Sequence, residues 1–191
     1  MTMIAIFASG AGSNAAKIID YFRQHPTTGI ALIVCNNPNA GVLSIAEKEN
    51  IPTLLIEKER FFKGDGYVGL LKSKSIDFIV LAGFLWKVPF SILAAFPNSI
   101  INIHPALLPK YGGKGMYGLK VHEAVLQSGD GESGITIHFV DEHYDNGDVI
   151  FQDKCSVLPT DTPQTLAEKI HQLEHQHFPR VIEQVVSLRK K

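Results

Sequence analysis

The chain has 191 residues, 18 Lys and Arg against 19 Asp and Glu for a formal net charge of -1, and 45% hydrophobic content. A chain of this size can bury about 70% of its unfolded surface around one core, which favours a single domain. The balanced charge excludes the strongly basic footprint of a nucleic-acid binder, and the longest apolar run, residues 78–86, is too short to span a bilayer.

Met1-Thr2-Met3-Ile4 carries no basic n-region of a secretory signal, so a cytoplasmic location is expected. Residues 3–8 form the first expected strand. It runs straight into Ser9-Gly10-Ala11-Gly12-Ser13-Asn14, a glycine-rich turn that opens a helix over 13–23. Glycines permit close backbone approach, and the free N–H groups of a helix start attract an anion, so the turn reads as a phosphate cradle. It fills neither common template: the third glycine of Gly-x-Gly-x-x-Gly falls at Ala15, and the P-loop lysine is missing. The bland alternative is a tight turn before a capped helix.

Strands are expected next at 31–35, 53–56, 77–82 and 99–104, with helices at 42–49 and 67–74 and a helical turn at 89–95. This alternation predicts right-handed βαβ units, hence an α/β fold with a mostly parallel sheet. Ala82-Gly83-Phe84-Leu85-Trp86 closes the fourth strand and reads as core or as the wall of an apolar pocket. After Pro109 come a glycine-rich loop at 111–118, a helix at 119–128, strands at 134–140 and 149–157, and a closing helix at 162–188. Pro179 is expected to kink or break that helix. Cys35 and Cys155 lack paired spacing for zinc or redox chemistry and read as reduced packing residues.

The chemistry concentrates in Asn102-Ile103-His104-Pro105. Side chains alternate along a strand, so Asn102 and His104 share one face, and Pro105 ends the strand with the histidine at its tip. Thr136 and His138 repeat this pattern on a later strand; for His138 alone, a structural and a functional reading stand even. A carboxylate can come from the loop between the last two strands, with Asp141, Glu142 and Asp145 as candidates, although Asp145-Asn146-Gly147 is also ordinary turn chemistry. His171-Gln172-Leu173-Glu174-His175 matches an inverted zinc-protease pattern, but no convincing third ligand follows, so no metal is expected.

Together these segments resemble the folate-dependent formyltransferase family, and within it the glycinamide ribonucleotide formyltransferases of purine synthesis. The resemblance covers nearly the whole chain. It rests on the Ser9 to Asn14 loop, Leu81-Ala82-Gly83-Phe84, the Asn102 to Pro105 segment with Leu108-Pro109-Lys110-Tyr111, Thr136 to Val140, Asp145-Asn146-Gly147 and Glu174-His175. It implies a Rossmann-like twisted sheet with helices on both faces and antiparallel strands near the C-terminus. A phosphate-binding half would span about residues 1–100 and a catalytic and folate half about 101–191.

By the same resemblance, Asn102, His104 and Asp145 would be catalytic, with Thr136 and His138 in support. Gly10, Ala11, Gly12, Ser13 and Asn14 would hold the substrate phosphate, and Glu174 the ribose. Folate would lie on Leu85, Trp86, Lys87, Val88, Val140 and Asp141, beside Asn102 and Asp145. The implied reactants are 10-formyltetrahydrofolate, as co-substrate, and glycinamide ribonucleotide, handled by a monomer or homodimer without nucleic acid or membrane. The family's basic residue before the third helix has Lys63 as its nearest counterpart, and the loop after Tyr111 is longer than usual. Competing readings are a formyltransferase for methionyl-tRNA or a sugar nucleotide, a 10-formyltetrahydrofolate hydrolase, and a nucleotide-binding regulatory module.

Overall fold

A computed structural model describes residues 1–63 and 67–189. Its centre is a seven-stranded sheet in the order β3-β2-β1-β4-β5-β6-β7. The strands are β1 (Thr2–Ala8), β2 (Thr28–Cys35), β3 (Thr53–Leu55), β4 (Phe78–Leu81), β5 (Ile100–His104), β6 (Glu132–Phe139) and β7 (Val149–Ser156). β1 to β5 pair in parallel, while β6 runs antiparallel to both β5 and β7. The expected mostly parallel sheet with an antiparallel C-terminal part is therefore what forms.

The parallel strands are apolar at successive positions because both faces are covered, and alternate residues feed opposite layers. Ile4, Ile6, Ile33, Val80, Ile101 and Ile103 pack beneath α1 (Ser13–Phe22), α2 (Gly41–Lys48), α6 (Leu119–Ser128) and α7 (Pro163–Leu188). Ala5, Phe7, Leu32, Ile79, Leu81 and Ile100 pack beneath α3 (Lys58–Phe62), α4 (Val68–Ser73) and α5 (Phe90–Ala95).

Two expectations need correction. Residues 58–62 form the short helix α3, too brief to show a periodicity; it is held by Phe61, which is 1% exposed against the rings of Phe84 and Trp86. Pro179 does not break α7, which runs unbroken for 26 residues. A proline inside a helix costs about 3 kcal/mol, but Phe178, Pro179, Val181 and Ile182 are all buried, and this packing outweighs the lost backbone bond. The start of α7 is fixed by a reciprocal cap: Thr165 N–H donates to Thr162 Oγ1 and Thr162 N–H to Thr165 Oγ1.

From β1 the chain moves outward to β2 and β3, then returns to place β4 on the other side of β1. This reversal leaves a crevice outside the carboxyl ends of β1 and β4, where open α/β sheets bind ligands. Ser9 joins the two strand ends, its N–H donating to Gly83 O and its hydroxyl accepting from Leu85 N–H. Among the described residues, no helix is long and apolar enough to cross a membrane.

Candidate active site

A cleft of about 690 Å³ opens at that switch point. Its floor is the turn from Ser9 to Asn14, one wall is Ala82 to Leu85 and the ends of β5, and the glycine-rich segment 113–118 covers it. Gly12 begins α1 with φ of 83°, and a Cβ there would lie 2.8 Å from Val42 Cβ and 2.9 Å from its Cα, so only glycine fits. No side chain caps α1, which leaves its first N–H groups directed at the cleft floor. At Gly10 nothing lies within 4 Å of an added Cβ, leaving open space above the backbone.

From α7, Glu174 enters this end of the cleft. It is 5% exposed and accepts a hydrogen bond from Asn14 Nδ2 at 2.8 Å. Burial pushes its carboxyl above the ordinary range against the opposing effect of Asn14. The rings of His171 and His175 stack at 6.1 Å, nearly parallel, so the His-x-x-Glu-His pattern sends its carboxylate to Asn14 rather than into a shared ligand set.

At the opposite end, the antiparallel register sets Asn102 across from His138 and His104 across from Thr136. Such directly opposed residues share a face, so both polar pairs point the same way. His138 Nδ1–H donates to Phe139 O at 2.8 Å, which leaves Nε2 to accept from Asn102 Nδ2 at 3.1 Å. Desolvation lowers the His138 pKa, despite the opposing carbonyl and nearby carboxylates. Its approach to Asp145 Oδ1 at 3.8 Å is therefore made by a neutral ring and is not an ion pair.

His104 is 3% exposed, and its Nε2–H donates to Tyr111 O at 2.7 Å. With Nε2 committed, Nδ1 is left to face Asp145 Oδ2 at 3.6 Å. Of the three loop acids, it is Asp145 that meets the imidazoles. Asp141 instead caps its own loop, accepting from His143 N–H and Asn146 Nδ2, and these bonds outweigh burial to keep its pKa low. Asp145 adopts φ of 53°, and its Oδ2 also accepts from Gly113 N–H at 2.9 Å. A Cβ at Gly147 would sit 1.9 Å from Phe139 O, so this turn closes only on a glycine.

Thr136 is fully buried. Its hydroxyl donates to Ala106 O and accepts from Leu108 N–H and Gln152 Nε2, which fastens the turn that follows His104. A second hollow of about 70 Å³ lies alongside, lined by Trp86, Lys87, Val88, Val140 and Asp141, and it shares Leu85, Asn102 and Asp145 with the main cleft. Phe61, Phe62 and Phe84 surround the Trp86 ring, and Lys87 Nζ stands 5.8 Å from the Tyr144 ring. Lys63 is exposed just past the end of α3 and bridges Glu59 one turn back. Sequence reasoning gave no site role to three cleft-lining residues, His122, Tyr144 and His171, the last of them noticed only within the His-x-x-Glu-His pattern. A histidine next to Val121 on the apolar face of α6 was the available signal for the first.

The formyl transferase family model matches residues 2–182. The chain is 42% identical over 185 residues to the chloroplastic phosphoribosylglycinamide formyltransferase of Arabidopsis thaliana, covering 94% of this chain and 63% of that protein. It thus spans about three fifths of that longer relative. It is 34% identical over 193 residues to the phosphoribosylglycinamide formyltransferase of Bacillus subtilis, covering 98% and 96% of the two chains. The crystal structure of the Bacillus halodurans phosphoribosylglycinamide formyltransferase superimposes with a TM-score of 0.88 at 34% identity, over 97% of this chain and 96% of that one. By motif, architecture and similarity along its length, the chain belongs to the formyl transferase family.

Proposed function

We propose that this chain transfers the formyl group of 10-formyltetrahydrofolate to the amine of glycinamide ribonucleotide, a step of purine biosynthesis. The observation that carries this is the convergence of Asn102, His104 and Asp145 where the main cleft meets the smaller hollow. The phosphate of glycinamide ribonucleotide fits the N–H groups at Gly10, Ala11, Gly12, Ser13 and Asn14, and its ribose hydroxyls fit Glu174. We assign the folate to Leu85, Trp86, Lys87, Val88, Val140 and Asp141; the hollow there takes only part of the molecule, and the rest lies in the main cleft, which it meets at Leu85, Asn102 and Asp145.

In this reading the glycyl amine attacks the formyl carbon, forming a C–N bond and a tetrahedral oxyanion. Asn102 has one Nδ2–H engaged by His138, and its second N–H is available to the oxyanion, as is a proton on His104 Nδ1. Each such donor is typically worth about 3–4 kcal/mol in the transition state. Collapse breaks the bond from carbon to N10. Asp145 accepts the proton lost by the amine and passes it on to N10 as tetrahydrofolate leaves. His138 orients Asn102, and Thr136 orients the turn after His104. Orientation of both substrates supplies much of the remaining acceleration.

The halves at about 1–100 and 101–191 then serve phosphate binding and catalysis within one domain, which we take to act in the cytoplasm as a monomer or homodimer. The test is incubation with 10-formyltetrahydrofolate, with and without glycinamide ribonucleotide. Formation of formylglycinamide ribonucleotide that depends on the amine supports transfer. Turnover with water alone supports a hydrolase, and binding without turnover a regulatory module.

A further inference from the structure

We propose that His122 is a substrate-contacting residue whose Nε2–H donates a hydrogen bond to the carbonyl oxygen of the substrate's glycinamide arm. The inference rests on the formyl-transfer reading above and deepens it.

His122 lies in the first turns of α6, on the face that buries Val121 and Val125, and is 3% exposed. It lines the cleft, yet its side chain makes no hydrogen bond to a described residue, and its Nδ1 is sealed from solvent. Nε2, the nitrogen that is not sealed, also has no partner among the described residues, and in a cleft wall such a group points to a ligand as its partner. A sealed N–H without an acceptor is rarer than a sealed lone pair. The single proton of the neutral ring therefore belongs on Nε2, on the edge that meets the cleft. Burial pushes the pKa down to about 4, and the nearby His171 and His104 add to the effect, so the ring is neutral at physiological pH.

It lines the same cleft as His171 and His104, which narrows what it can meet. His171 is on α7 one turn before Glu174, at the sugar end, and His104 is at the end where the amine reacts. A molecule with its phosphate on the α1 turn and its amine near His104 carries its amide linkage through the space between. In the proposed reading Asn14 serves the phosphate and Glu174 the ribose hydroxyls, and the two side chains hydrogen-bond each other. A neutral N–H donor suits a carbonyl, and being uncharged it does not repel the glycyl ammonium before that group loses its proton.

The test compares wild type with His122→Leu and His122→Gln, measuring steady-state kinetics and calorimetric binding of glycinamide ribonucleotide and of ribose 5-phosphate, which lacks the amide arm. His122→Leu should weaken glycinamide ribonucleotide roughly ten- to a hundred-fold, the range for a lost hydrogen bond to a buried partner. Ribose 5-phosphate affinity and the KM for 10-formyltetrahydrofolate should not move. His122→Gln, which keeps an N–H donor, should recover most of the loss. The ratio of the two affinities within one variant is insensitive to the fraction folded, because both titrations count only folded protein. Equal weakening of both ligands, no change in either, or a Gln variant as defective as Leu would overturn the assignment. Wild type that fails to formylate glycinamide ribonucleotide would instead remove the functional reading itself, and this inference with it.

Discussion

Asn102 and His138 face each other across the antiparallel pair β5 and β6, joined by a 3.1 Å hydrogen bond from the amide to Nε2. Because Nδ1 of that histidine is held by Phe139 O, the bond has one direction, and it fixes which way the Asn102 amide points. Replacing His138 with Phe should free the amide to turn and lower kcat by about ten- to a hundred-fold. The KM for glycinamide ribonucleotide should stay within a few-fold. His138→Gln, which can accept from the amide, should restore part of the rate, an outcome that simple loss of stability does not produce.

Asp145→Asn isolates the carboxylate from the turn. The residue has φ of 53°, a conformation asparagine tolerates, and the amide oxygen can still accept from Gly113 N–H. We expect kcat to fall by about two to four powers of ten, the range for a general acid–base group. Ribose 5-phosphate binding, measured by calorimetry, should be unchanged. Equal losses in rate and phosphate affinity would contradict the assigned role.

The two glycines of the first turn should separate folding from binding. Gly12→Ala places a methyl against Val42 in a left-handed backbone, and we expect a stability loss of about 2 kcal/mol or more by urea denaturation. Gly10→Ala meets nothing within 4 Å and should leave stability within about 0.5 kcal/mol. It should nonetheless weaken phosphate binding, because the methyl enters the open space proposed for the anion.

Glu174 is held where its charge is disfavoured. Its folded pKa is raised, so the folded state binds a proton more readily than the unfolded chain does. That contribution is complete below the ordinary carboxylate range and is lost as pH rises through the folded value. Glu174→Gln should therefore stabilise the ligand-free protein at pH 8 by about 1 kcal/mol, the scale of other stability–function trade-offs. The gain should vanish at acidic pH, where the native carboxyl is protonated. Affinity for glycinamide ribonucleotide should drop in the same variant.

His122 contributes in the opposite sense. With a folded pKa of about 4 against 6.5 unfolded, the unfolded chain takes up the proton first as pH falls. Its contribution is complete above pH 6.5 and is lost by about pH 4, to a maximum of about 3 kcal/mol. Chemical denaturation at pH 7.5 and pH 5 should show wild type losing more stability on acidification than His122→Leu, which has no proton to gain.

The sheet and most of its strands were legible in the sequence because short apolar runs and βαβ alternation are local signals. Asn102 with His104, and Thr136 with His138, could each be placed on one strand face for the same reason. Their opposition across β5 and β6 is a matter of register, which no spacing along the chain records. The choice of Asp145 over Asp141 was equally hidden, since both lie in one loop and only the fold turns one of them inward. His122 escaped notice because on a helix it resembles any core histidine until its lack of a partner can be seen. Pro179 misled because a local propensity was set against packing contributed by distant strands and helices.

The bond from Gly113 N–H to Asp145 ties the glycine-rich segment lining the main cleft to that carboxylate, while Tyr111 O, two residues earlier, accepts from the imidazole of His104. If the proposed reaction holds, displacing residues 111–113 would loosen Asp145 and His104 together, so a cleft opened on that side would also be one whose reactive groups are out of place.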